Sequence, residues 1–423
     1  MRPLQEFLQT STSSALFLLV AVLIALVWVN SPWRAGYDAL WHTEFTVQFG
    51  SFIDLHQDLK FWVNDGLMAL FFLVVGLEIK RELVSGELRQ IRAAILPVLA
   101  AIGGMVVPAL LYIAIAGGTN ARGWGIPMAT DIAFALGALT LAAGFAPSNL
   151  KPLLLTLAIV DDIGAILVIA LFYSGGIALI PLVVALIGIV AVGLATRAHV
   201  RALLLYVILG AVIWYATYEA GIHPTIAGVV LGLMTPAAPF QRPEAVSLEA
   251  RRIADETVDD PHPSDADAAS WMRLAWVSRE AVSPLARVEH VLLPWTSFVI
   301  LPIFALANAG VVLSSSTIAA AATDVVAIGI FVGLVVGKPL GVFLGSQVAV
   351  RSRAATLPDD VGWGDLAGTG FTAGIGFTVA LFVAELAFPR SDILQEAKIA
   401  ILAASVVAGI VGYVVLRLAP NRT

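Results

Sequence analysis

Residues 153–172 read LLLTLAIVDDIGAILVIALF, and the only charges in that run are the adjacent Asp161 and Asp162. Roughly 20 largely apolar residues are what a helix needs to cross the hydrocarbon of a bilayer. A carboxylate at mid-membrane costs about 3 kcal/mol on insertion scales, and two neighbours also repel each other. A pair tolerated there implies partners within the protein. Neighbours on a helix project about 100° apart, so each acid needs its own partner. One is expected to face a cation path and the other a positive side chain. The alternative, a loop with solvated acids, conflicts with the apolar sequence on both sides.

The rest of the chain has the same character. Its 423 residues are 59% hydrophobic and 13% charged, with a mean hydropathy of +0.91, whereas soluble domains run near a quarter charged. Spans are expected near 13–30, 60–82, 95–116, 127–143, 151–174, 177–195, 203–220, 223–236, 288–310, 326–349, 364–388 and 396–416. Residues 14–30 are read as the first span and not a cleaved signal, because no small-x-small site follows. The fold class is an all-α polytopic membrane protein of about twelve helices.

With both termini cytoplasmic, eighteen of the 24 Lys and Arg fall in inside loops and five outside, leaving Lys338 within a span. That is the positive-inside bias of an even number of spans. The net charge of -6 and the scatter of basic residues through short loops exclude a nucleic-acid binder. The absence of cysteine excludes disulfides and thiolate metal sites.

Two connections stand apart. Around 43–55, Phe45, Val47 and Phe49 alternate beside Gly50, which fits a small external hairpin or an irregular amphipathic loop. Residues 237–287 hold Pro239, Pro243, Pro261 and Pro263 and the acid-rich stretch 255–267, and are expected to be a solvated, partly disordered cytoplasmic linker. It divides the chain into spans one to eight (1–236) and nine to twelve (288–423).

Span four is short, begins at Pro127 and carries Thr130 and Asp131; span eleven contains Gly368, Gly370, Gly374 and Gly376. So many glycines and a proline make continuous helix improbable, and unwound backbone at that depth survives only inside protein or along a cavity. In span ten Gly329, Gly333, Gly337, Gly341 and Gly345 form a packing stripe, with Lys338 just off it. A buried ammonium and the acids of spans four and five lower each other's cost. Spans three to five and ten to twelve match as inverted triplets with paired broken helices, the best sequence pointer to a midplane ion site. In such a crossing Asp131 offsets helix amino ends and Lys338 carboxyl ends.

These residues carry a family resemblance. The runs at 70–82 (LFFLVVGLEIKRE), 129–134 (ATDIAF), 160–165 (VDDIGA), 337–341 (GKPLG) and 374–378 (GIGFT) resemble the bacterial NhaA sodium/proton antiporters. That family is itself a known case of inverted repeats. The resemblance implies exchange of cytoplasmic Na+ or Li+ for external H+ by alternating access, in pH and sodium homeostasis, with no cofactor. It implies Asp162 as main sodium ligand and proton carrier, Asp161 beside it exchanging with Lys338, and Thr130 and Asp131 at the crossing. It implies a pH-responsive region at Glu78, Arg81, Glu289 and His290, with His223 at the opposite end. It implies electrogenic exchange of two protons per sodium, a bacterial inner-membrane location, and a homodimer joined through the external hairpin. One departure is Leu293, where the family can carry a second histidine.

The blander readings stay open for the pH residues. An interfacial histidine is commonly a hydrogen-bonded surface group, and Glu78, Lys80, Arg81 and Glu82 also read as a plain charge cluster at one helix end. Among rival functions, an intramembrane aspartyl protease finds fragments at Tyr37-Asp38 and Gly362-Trp363-Gly364-Asp365, but their order and placement keep two catalytic acids apart. A passive cation channel conflicts with a buried Lys beside the acids. A solute symporter lacks any roomy polar pocket signature.

Overall fold

The computed structural model describes residues 11–50, 53–142, 146–241, 243–258, 265–389 and 392–419. The termini with Arg2 and Arg422, and residues 259–264 with Pro261 and Pro263, lie outside them. Helix α1 (Ser11–Val29) leads to a short surface helix α2 (Arg34–Trp41), turned by 116°. Strands β1 (Glu44–Phe49) and β2 (Ile53–Asp58) then pair antiparallel, with Phe45 opposite Gln57 and Val47 opposite Leu55. The hairpin, not the irregular loop, is therefore what the alternation encodes. Asp58 closes it by accepting the amide of Phe61 at 2.8 Å, which caps the turn into the next span.

The second span enters through a π-helical turn, Trp62–Leu67, and continues as α3 (Met68–Ser85). After α4 (Ile91–Ala116), a 3-10 stretch Gly118–Met128 precedes α5 (Ile132–Leu141), bent by 50° from it. The fourth span thus starts well ahead of Pro127, because Gly118, Gly123, Gly125 and Pro127 suit the tighter 3-10 coil better than an α-helix. Next come α6 (Leu150–Phe172), α7 (Leu179–Arg197), α8 (Leu203–Glu219) and α9 (Thr225–Met234).

The segment expected to be a partly disordered linker carries two helices in its described residues, α10 (Pro243–Val258) and α11 (Asp265–Glu280). Val246 and Ile253 on one and Val277 on the other are buried. Arg273 joins them through Glu249 at 2.8 Å, and Arg201 holds buried Glu280 at 3.0 Å. Its prolines and acids suggested disorder, but the apolar residues recur at helical spacing, and Pro243 opens a helix where a missing N–H is harmless.

Helix α12 (Pro284–Trp295) passes through a π turn into α13 (Leu301–Asn308), and α14 (Ser315–Thr323) follows. Helix α15 (Val325–Val332) and α16 (Lys338–Arg351) flank the π turn Gly333–Gly337. The last span pair is α17 (Trp363–Ala373) and α18 (Phe377–Ala387), bent by 47°, then α19 (Ile393–Leu418). Six helices among the described residues are long and apolar enough to cross a membrane, or nine if each bent pair is one span.

The glycine stripe of the tenth span packs on α4. A Cβ on Gly337 would lie 2.7 Å from the Pro108 Cα, and one on Gly341 would run into the Gly103 carbonyl, so only glycine lets the two backbones approach. The outer faces of α1, α7 and α8 leave Val27, Ile180, Ile187 and Leu204 exposed. Apolar surface on that scale belongs against lipid, and the chain is a multi-pass membrane protein.

Candidate functional site

The two breaks in the fourth and eleventh spans touch. Asp131 is the N-cap of α5, a position where a short acid satisfies amides that have no helical partner, and its Oδ1 accepts the Phe134 amide at 3.1 Å. Its Oδ2 reaches the other broken span, accepting the Thr378 amide at 3.0 Å and the Thr378 hydroxyl. The Asp131 amide in turn donates to the Ile375 carbonyl at 2.7 Å. One buried carboxyl thus sits at the amino ends of α5 and α18, where partial positive charge collects.

Of the two carboxyl ends, one is answered by Lys338 from the tenth span and the other by Thr130. Lys338, with no exposed surface, donates from Nζ to the carbonyl of Met128, which ends the 3-10 stretch. The Thr130 hydroxyl lies 2.9 Å from the carbonyl of Ala373, the last residue of α17. The π turn Gly333–Gly337 immediately precedes Lys338, and such turns re-aim the side chains that follow.

The two acids of α6 part company here. Lys338 Nζ lies 2.7 Å from Asp161 Oδ2, and Thr130 Oγ1 lies 2.8 Å from the same oxygen. With one proton, that hydroxyl donates either to Asp161 or to Ala373. Asp161 Oδ1 is buried without a hydrogen bond. Asp162, at 4% exposure, forms no hydrogen bond or ion pair with the described residues. The alternative that sequence left open is resolved by packing: Asp161 faces the positive side chain and Asp162 is the uncommitted acid.

Among the described residues no three His, Asp or Glu side chains gather as a resident metal site would require. The oxygen donors gathered at the break are of the kind that a hard cation takes. The protease fragments are accounted for otherwise. Asp365 accepts the Gly362 amide at 2.7 Å at the start of α17, and exposed Asp38 pairs with Arg34 at 3.6 Å.

Of the residues implied in pH response, Arg81 and buried Glu289 form an ion pair, and Glu78 lies within electrostatic reach of both. His290 is exposed and takes no part in that pair. His223 lies at the other end, its Nδ1 3.5 Å from Asp65 Oδ1 and its ring edge-on to Phe382. Asp65 was not singled out in the sequence, although a lone acid in the apolar run after Lys60 is the same signal that exposed Asp131. Glu385 is likewise not marked by the sequence reading. Lys60 and Lys398 count as external loop charges by sequence, yet both bind Glu385, at 2.7 Å and 2.6 Å.

The model of the Na+/H+ antiporter 1 family matches residues 5–416. The chain is 45% identical over 421 residues to the Na(+)/H(+) antiporter NhaA 2 of Sorangium cellulosum, covering 99% of this chain and 90% of that protein. It is 47% identical over 421 residues to the Na(+)/H(+) antiporter NhaA 2 of Myxococcus xanthus, covering 98% and 89%. Among solved structures, the sodium proton antiporter MjNhaP1 from Methanocaldococcus jannaschii is similar at a TM-score of 0.46 and 10% identity, covering 96% of this chain and 88% of that one.

Proposed function

The chain belongs to the Na+/H+ antiporter 1 family, secondary transporters and not enzymes, and from that premise we propose that it exchanges cytoplasmic Na+ or Li+ for external H+ at Asp162 by alternating access. The observation that carries this is the unequal state of the two adjacent acids, Asp161 held by Lys338 and Asp162 buried without a protein partner. A buried carboxylate must be neutralised by a bound proton or a bound cation. Asp162 takes one or the other, and that competition is the exchange. Backbone carbonyls and Thr130 at the break complete an oxygen shell for sodium, while Asp131 holds the two amino ends and Lys338 and Thr130 each meet one carboxyl end. Asp161 exchanges partners with Lys338 during the cycle.

The nine spans, together with Met68–Ser85, Leu203–Glu219 and Thr225–Met234, make twelve crossings arranged as inverted repeats. The positive-inside bias supports a bacterial inner-membrane protein with both termini cytoplasmic. Glu78, Arg81, Glu289 and His290 then respond to pH at the cytoplasmic end and His223 at the external end. The hairpin joins two copies into a homodimer, the exchange moves two protons per sodium, and its role is pH and sodium homeostasis.

Sodium-dependent dissipation of a pH gradient in proteoliposomes, scanned over pH, tests the proposal. Sodium or lithium should drive proton flux and potassium should not, and Asp162→Asn should abolish it in both directions. Normal exchange by Asp162→Asn would overturn the assignment and make Asp131 the next candidate.

A further inference from the structure

Helix α18 leaves the ion site at Thr378 and runs toward the end of the molecule that carries the hairpin. Phe382 lies one turn along it and Glu385 about 10 Å along it, on the same face, at 1.5 Å per residue. Phe382 is fully buried against three elements: Phe72 of α3 at 5.5 Å, His223 ahead of α9 at 5.4 Å, and Phe304 of α13 at 6.2 Å between ring centroids. This aromatic plug closes α18 against the second, eighth and ninth spans. Directly above it, Glu385 accepts from two lysines of unequal standing. Lys398 belongs to α19, the next helix in the chain after α18, and its side chain is 4% exposed; Lys60 sits ahead of α3, across the plug, and is 25% exposed.

Removing one partner from a buried ion pair leaves an uncompensated charge and is strongly unfavourable. Here the arrangement avoids that. If Lys60 withdraws, Glu385 stays neutralised by Lys398 and Lys60 reaches water. If Lys398 were the one to leave, its ammonium would be stranded in a dry site. We propose that Lys60, Glu385 and Lys398 form a latch over the Phe382 plug that closes the hairpin-side route to Asp162, and that only the Lys60–Glu385 half opens in each transport cycle. This rests on the alternating-access reading above. Because Lys60 lies two residues past the end of β2, the latch also ties the hairpin to α18, the second half of the eleventh span.

The native chain has no cysteine, so Val379→Cys, below the plug, is a clean reporter in the full-length protein reconstituted in vesicles. A membrane-impermeant maleimide added on the hairpin side should label it slowly in the otherwise native background. Lys60→Gln should raise the labelling rate about five-fold, the scale of one partly exposed ion pair, with exchange retained. Lys398→Gln should leave the labelling rate unchanged and lower thermal stability instead. Equal labelling in the native and Lys60→Gln backgrounds overturns the latch. In a second arm, Lys60→Cys with Glu385→Cys, made together with Lys398→Gln so that no ammonium is stranded and shown to exchange before treatment, is bridged by a short cleavable bis-thiol reagent. Bridging should stop exchange and cleavage should restore it, whereas unimpaired exchange with complete bridging refutes the proposal. Labelling reports conformation without any transport, so failure of sodium-driven flux in the native protein would sink the antiport reading without being mistaken for failure of the latch.

Discussion

The Lys338–Asp161 pair gives a quantitative test of how the site is held together. Both side chains are fully buried and their charged atoms are 2.7 Å apart. Lys338→Met keeps the stem but strands the Asp161 carboxylate, whose Oδ1 already lacks a hydrogen bond; Thr130 remains as the single donor to Oδ2. Stranding one member of a buried pair costs about 3–5 kcal/mol. Asp161→Asn strands the ammonium, with the Met128 carbonyl as its remaining partner, at a similar cost. Removing both charges at once leaves neutral groups of nearly unchanged volume, and such replacements are commonly neutral or better. The double variant should therefore unfold within about 1 kcal/mol of the native protein, a coupling of at least about 5 kcal/mol. Unfolding of the detergent-solubilised protein, followed by circular dichroism and by tryptophan fluorescence, measures all four corners of the cycle. Single losses under about 1 kcal/mol, or a double loss equal to the sum, would refute the pairing. Because Asp162 is intact, Lys338→Met should retain exchange at the alkaline end of the pH scan. Its loss at every pH would show that Lys338 does more than compensate charge.

Asp131→Ala removes the acceptor for the Phe134 amide and for both Thr378 donors, and two lost caps with buried amides left over should destabilise by about 3 kcal/mol; a change under about 0.5 kcal/mol in the same unfolding assay would contradict the double-cap geometry. Deleting residues 45–51 should convert dimers to monomers by light scattering while each protomer still exchanges sodium for protons, since the hairpin lies apart from the acids; complete loss of transport in a well-folded deletion would overturn that division. Outside the membrane, the Asn149 amide at 2.7 Å holds the exposed Asp360 carboxyl below its usual range. A depressed folded-state value stabilises above the unfolded value near about 4 and is lost as pH falls through the folded one. Asn149→Ala should accordingly lower the melting temperature slightly at neutral pH and by progressively less as the pH falls through the folded-state value, and a difference that grew on acidification would be the wrong sign.

Hydropathy, charge bias and glycine placement are local properties, so the sequence by itself determined that the chain crosses the membrane repeatedly. They also fixed where the fourth and eleventh spans break and that 161 and 162 are acids in need of partners. The resemblance singled out the same positions. The helices in residues 243–280 were legible too, in the spacing of Val246 and Ile253, but composition outweighed periodicity there. Hydropathy and spacing left open which acid meets Lys338, because a rotation of about 100° on α6 separates an ion pair from an empty carboxylate; the resemblance implied Asp161, and the packing puts it there. Only the tertiary structure placed Asp65 beside His223, and Lys60 and Lys398 on Glu385. Each of those contacts joins residues from different spans. A buried charge announces that it needs a partner, since the cost of burial is paid at its own position, but which distant group supplies that partner is set by how the helices pack.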